Sequence, residues 1–129
     1  MRNVMTIEDS LALMRRHAAA WNAHDVQALL ELLTDDCIYD AAAGSRPEGA
    51  RHVGHAELEP AFRAIWAAFP DARWDDAEHF VDGEKGFSTW VFRGTRPDGI
   101  RVTVNGLDVL RFRDGLICHK DTYRKAVTA

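Results

Sequence analysis

Within "GLDVLRFRDG" (residues 106–115), Asp108 shares an alternating phase with Leu110 and Phe112. In a strand, residues two apart lie on one face, so a carboxylate stands beside two large apolar side chains. A carboxylate buried there must find a cation or keep its proton. Paired, it is a structural ion; protonated, it is an acid able to donate to a developing oxyanion. His17 lies at the margin of a helical apolar stripe, one turn from both Met14 and Trp21. It is either a core histidine with one hydrogen bond or an acid–base partner for Asp108 near neutral pH. In "LICHKDTYRK", Cys118, Lys120, Thr122 and Arg124 share one face, while Ile117, His119, Asp121 and Tyr123 share the other. Trp90 and Phe92, like Trp66, have the spacing of core residues, although Trp21, Trp90 and Phe92 could also wall an apolar pocket.

Other chemistries find less support. "HVGH" (His52 to His55) has a spacing a metal could use, but no third ligand accompanies it, so no metal site is expected. There is no Gly-rich phosphate loop, G-x-S-x-G elbow or catalytic cysteine context. With 16 Lys and Arg against 20 Asp and Glu, the net charge of −4 offers no basic field for nucleic acid. No apolar run approaches the roughly 18 residues that span a bilayer. The opening "MRNVMTIEDS" lacks the apolar core of a signal peptide. Cys37 and Cys118 fall inside strand-like runs and read as reduced core thiols of a cytoplasmic protein, with a disulfide as the alternative. The 129 residues are expected to form one domain, 1–129.

The elements that must position these groups follow from periodicity. Thr6 and Asp9 form a capping-box variant, and Ile7, Leu11, Met14, Ala18 and Trp21 continue a helix to about Asn22. Asp25 caps a second helix carried by Leu29, Leu30, Leu32 and Leu33 to Thr34. "DDCIYDAAAG" reads as a short strand ending in a loop through Gly44, Pro47 and Gly49 that also holds Arg46 and Arg51. A third helix follows Gly54 and breaks at Pro70–Asp71, with Pro60 expected near its first turn. "ARWDDAEHFV", "GFSTWVFRGT", "IRVTVNGLDVLRF" and "LICHKDTYRKAV" are strand-like runs separated by "DGEKG", "RPDG" and "RDG" turns. Helices first and an antiparallel meander afterwards predict an α+β domain.

The stretches "RRHAAAWNAHDVQALLELLTDDCIYD", "AFPDARW", "WVFRGT" and "GLDVLRFRDGLI" resemble the SnoaL-like branch of the NTF2-like superfamily. That superfamily also includes ketosteroid isomerases, scytalone dehydratase and limonene epoxide hydrolase. The resemblance spans roughly residues 6–125. It implies a conical barrel in which three N-terminal helices pack on a strongly bent antiparallel sheet around a deep pocket, commonly as a homodimer. Position by position against the ketosteroid isomerases, it places His17 at the helical tyrosine and Asp108 at the protonated aspartic acid. Ala41 falls where the catalytic base belongs. Asp40 stands one residue earlier, and only a bulge would turn it inward as a provisional base.

The same resemblance turns Lys120 and Arg124 toward the cavity and Ile117, His119, Asp121 and Tyr123 toward the dimer-forming surface, beside Leu107 and Val109. An inward Lys120 would pair with Asp108 or Asp40. The expected activity is a cofactor-independent isomerisation, cyclisation or dehydration of an apolar, carbonyl-bearing molecule, with catalytic Asp108, His17 and Asp40. Trp21, Trp90, Phe92, Lys120 and Arg124 would line the pocket. The alternative is a non-catalytic ligand-binding protein with the same pocket. A hydrolytic site like that of the epoxide hydrolases is a third possibility, without an evident Asp–Arg cluster.

Overall fold

A computed structural model describes residues 5–128. Of the opening stretch read above for a leader, residues 1–4 lie outside this range. Helix α1 spans Ile7–Asn22, α2 Val26–Glu31 and α3 His55–Ala68. Thr6 caps α1 through Asp9 N–H, while the Asp9 side chain accepts from Thr6 N–H, so two otherwise orphaned donors are satisfied. Asp25 caps α2, which ends earlier than its leucines suggest because Leu33 already begins a strand. Pro60 lies inside α3, one turn deeper than expected. It is solvent-exposed, as is Ala56, whose carbonyl loses its helical donor there. Among the described residues no helix is long and apolar enough to cross a membrane.

Six strands accompany the helices, the first two between α2 and α3: β1 Leu33–Asp40, β2 Arg51–Val53, β3 Arg73–Asp82, β4 Lys85–Thr95, β5 Arg101–Arg113 and β6 Leu116–Arg124. They form one sheet in the order β2-β1-β6-β5-β4-β3, left open at β2 and β3. The meander β3–β6 is antiparallel, as its turns predict. Asp114 and Gly115, both at positive φ, close the two-residue β5–β6 hairpin. The sheet as a whole is mixed, however, because β1 pairs parallel to β6. The three-residue β2, expected as loop, adds to its edge.

Register shifts occur at Leu33/Ile38, Asp75/Glu78 and Arg111/Phe112. Such bulges bend a sheet and reverse which residues face inward. The last one turns Ile117 into the core at 0% exposure, so Ile117 does not project from the outer face as alternation suggested. Inside the bend, Trp21 meets Phe62, Trp66 and Trp74 with ring centroids 4.8, 5.1 and 5.1 Å away. Phe92 joins them through Trp74 and Phe69.

Candidate active site

A cavity of about 340 Å³ lies between α1, α3 and the concave face of the sheet. Its polar floor is a consequence of strand register. His79, Ser88, Asp108 and Thr122 are successive partners across β3, β4, β5 and β6, so they form one transverse row. All four line the cavity, with His17 on α1 bordering the same space. Flanking rows supply Trp90 and Arg124 on one side and Lys120 on the other. The remaining wall is largely apolar: Trp21, Trp74, Ile65, Phe69 and the alanines 41–43, 64 and 68.

Asp108 is 5% exposed and accepts three hydrogen bonds. Lys120 Nζ and Thr122 Oγ1 donate to Oδ1 at 2.8 and 2.6 Å, and Trp90 Nε1 donates to Oδ2 at 3.1 Å. Burial alone would push this carboxyl up; Lys120, helped by the Thr122 hydroxyl, instead holds it below the usual carboxylate range. Asp108 is therefore an ionised acceptor paired with Lys120, the first of the two alternatives its phase allows, and not the proton donor that the isomerase resemblance implies. Lys120 also lies over the rings of Trp21 and Tyr39, 5.0 and 5.9 Å from their centroids.

His17 is buried, and Trp21 Nε1 donates to its Nε2 at 3.1 Å. Because an indole only donates, Nε2 is the acceptor and the proton resides on Nδ1. Burial, then the neighbouring Lys120, lowers the imidazole to about 3. It is neutral at physiological pH and unable to serve there as a base.

Asp40 lies elsewhere. Tyr39 and Ala41 line the cavity, which turns Asp40 to the opposite face of β1. There Arg51 Nε and an Arg51 terminal nitrogen donate to its two oxygens at 2.8 and 3.0 Å, and His119 Nε2 donates at 2.8 Å. The expected catalytic base thus belongs to an outer ion cluster, since no bulge intervenes between Asp40 and Ala41. Phe92 likewise departs from expectation: it is 1% exposed, packed in the core and absent from the cavity wall. Trp21, Trp90, Lys120 and Arg124 do line the cavity.

Two groups escaped the sequence reading. Tyr39 presents a buried phenol, raised above its ordinary range chiefly by burial. His79 Nδ1 lies 2.7 Å from Ser88 Oγ, leaving Nε2 without a partner among the described residues. Burial, then Arg15 on α1, lowers His79 from its ordinary value. Alternation in "DDCIYDAAAG" already puts Tyr39 in phase with Ala41. The bulge near Asp76, whose φ is 57°, hides His79.

Among the described residues, the carboxylates and imidazole of Asp40, His119 and Asp121 have ligand atoms within 4.8 Å of one another. Arg51 already pairs with Asp40, so a cation would have to displace it. His52 and His55 take other roles: His52 stacks on Tyr39, and His55 Nε2 donates to the Leu33 carbonyl at 3.2 Å.

A bent sheet packed around helices and enclosing a side-chain-lined cavity defines the NTF2-like, cystatin-like class of α+β proteins. The chain belongs to the SnoaL-like domain family, whose model matches residues 14–120. It is similar to an NTF2-like protein of unknown function from Mesorhizobium loti, at 33% identity over 92% of this chain and 93% of that one, TM-score 0.73. A proposed polyketide cyclase from Xanthomonas campestris shares 20% identity over 90% of each chain, TM-score 0.81. A Catenulispora acidiphila protein with a ketosteroid isomerase-like fold, solved in complex with trimethylamine, shares 20% over 86% of this chain and 83% of that one, TM-score 0.76. No curated protein matches the sequence.

Proposed function

We propose that this protein is a cofactor-independent proton-transfer enzyme, of isomerase, cyclase or dehydratase type, acting on an apolar carbonyl-bearing small molecule. The observation carrying this reading is the row His79–Ser88–Asp108–Thr122 facing an apolar cavity. In it, His79 Nε2 removes a proton from the carbon beside the substrate carbonyl. The C–H electron pair moves into the C–C bond as the carbonyl oxygen becomes an enolate. Lys120, the Tyr39 hydroxyl and His17 Nδ1–H donate to that oxygen, and protonated His79 then returns its proton to another carbon or to a departing hydroxyl. Asp108 remains ionised and orients Lys120.

One observation favours a non-catalytic binder instead. Asp108 already accepts three hydrogen bonds and His17 Nε2 is occupied, so neither is free to take a proton from substrate. Solvent deuterium exchange separates the two readings, with 2-tetralone as an apolar ketone probe. An enzyme accelerates exchange beside the carbonyl, and His79→Ala lowers that acceleration by roughly 10²–10⁴. Saturable binding with exchange no faster than buffer identifies a binder.

The same proposal includes a single-domain, cytoplasmic homodimer. Cys37 and Cys118 are free, as a reducing compartment favours. Leu107, Val109 and exposed Phe87 and Tyr123 lie on the outer face of the sheet and supply a self-complementary strip. A monomeric mass at micromolar concentration overturns the dimer.

A further inference from the structure

The polar groups bordering the cavity are unevenly matched. Among the described residues Asp108 is the only carboxylate in its wall, and it already accepts three hydrogen bonds. Two cations border the same cavity, Lys120 buried and Arg124 exposed at its rim. Lys120 uses one N–H on Asp108, leaving two. Arg124 makes no ion pair among the described residues; its guanidinium lies 5.0 Å from the Phe92 ring centroid. Tyr39 hydroxyl and His17 Nδ1–H are further donors with no hydrogen-bond partner among the described residues. The unengaged groups are thus mostly donors, and two cations border the cavity with one anion that already pairs with Lys120. An acceptor-rich, negatively charged ligand would complete this set, because charged hydrogen bonds offset the cost of moving an anion out of water.

Lys120 and Arg124 also set a length. They stand four residues apart on one face of β6, roughly 13 Å from Cα to Cα at the usual strand rise. Trp21, Trp74 and Trp90 border the cavity they flank. We propose that the ligand is an apolar ring system bearing a carboxylate, with the carboxylate paired to Arg124 and the rings against these indoles. The inference rests on the small-molecule reading above and adds a charge requirement to it.

Calorimetric titration with 2-naphthoate and 2-naphthamide, matched in rings and different in charge, tests the proposal. The unaltered protein should bind naphthoate at least about tenfold more tightly than naphthamide. Arg124→Gln should remove that preference while changing naphthamide affinity less than about twofold. Arg63→Gln, which removes an exposed cation paired to Glu59 on α3, should leave both affinities unchanged. Equal affinities in the unaltered protein, or a preference that survives Arg124→Gln, would overturn the charge requirement while naphthamide binding leaves the apolar-ligand reading standing. Binding of neither probe would overturn both.

Discussion

The indole of Trp21 donates to Nε2 of His17 at 3.1 Å, one turn back along the same helix. Burial, then the neighbouring Lys120, keeps the imidazole neutral, with its folded value at about 3. The folded value lies below the unfolded one near 6.5, so the unfolded chain binds the extra proton first. Stability should be fully present above pH 6.5 and fall as the pH drops toward 3, by up to about 1.4 kcal/mol per pH unit. His79 is lowered in the same direction, so comparison with His17→Gln isolates the His17 share. Urea denaturation at pH 7, 6, 5 and 4 should give the variant the shallower decline.

The Asp108–Lys120 pair is 6% exposed on both sides, so solvent screens it little. Asp108→Leu leaves a buried ammonium without its anion and should cost about 3–5 kcal/mol. Adding Lys120→Met should recover most of that loss. A double variant no more stable than Asp108→Leu alone would show that the ammonium is not what destabilises the single variant.

Gly106 sits where a β-carbon would come within 2.5 Å of the Trp90 ring. Gly106→Ala should therefore displace Trp90 from Asp108 and cost about 1–3 kcal/mol. A shift in tryptophan emission should accompany the loss; unchanged emission and stability would mean that Trp90 can move without leaving Asp108.

Asp40 is buried on the far side of β1, and Arg51, against the opposing effect of burial, holds its carboxyl below the usual range. Asp40→Ala should lower stability by about 1–3 kcal/mol, since it strands the Arg51 and His119 donors. Ligand affinity and proton exchange should stay within about twofold of the parent. A loss of exchange with stability intact would restore Asp40 as the base.

Periodicity in the sequence carried much of this architecture. Steps of three and four defined α1, the cap pair marked its start, and strict alternation in "GLDVLRF" put Asp108 beside Leu110 on the inner face. What escaped were features set by pairing between distant segments. The parallel β1–β6 contact is one, because neither strand alone encodes its neighbour. Bulges are the other. Trp74 and His79 have opposite parity along β3 yet line one cavity, since the irregularity near Asp76 reverses the phase between them. The bulge at Arg111/Phe112 similarly turned Ile117 inward. Asp40 kept the phase its neighbours dictate, and the alternation of Tyr39 and Ala41 placed it outside.

The position of β6 also sets a timetable for biosynthesis. This strand, after β1–β5 in chain order, lies between β1 and β5 and contributes Lys120 and Thr122 to the carboxylate they bind. A nascent chain emerging in order would hold β1 and β2 apart from the β3–β5 meander until residues 116–124 arrived. Asp108 would meanwhile lack its cation, and the inner faces of both sheet pieces would be open to solvent or to chaperones. Completion of the sheet and assembly of the cavity's charged floor would therefore both await residues 116–124.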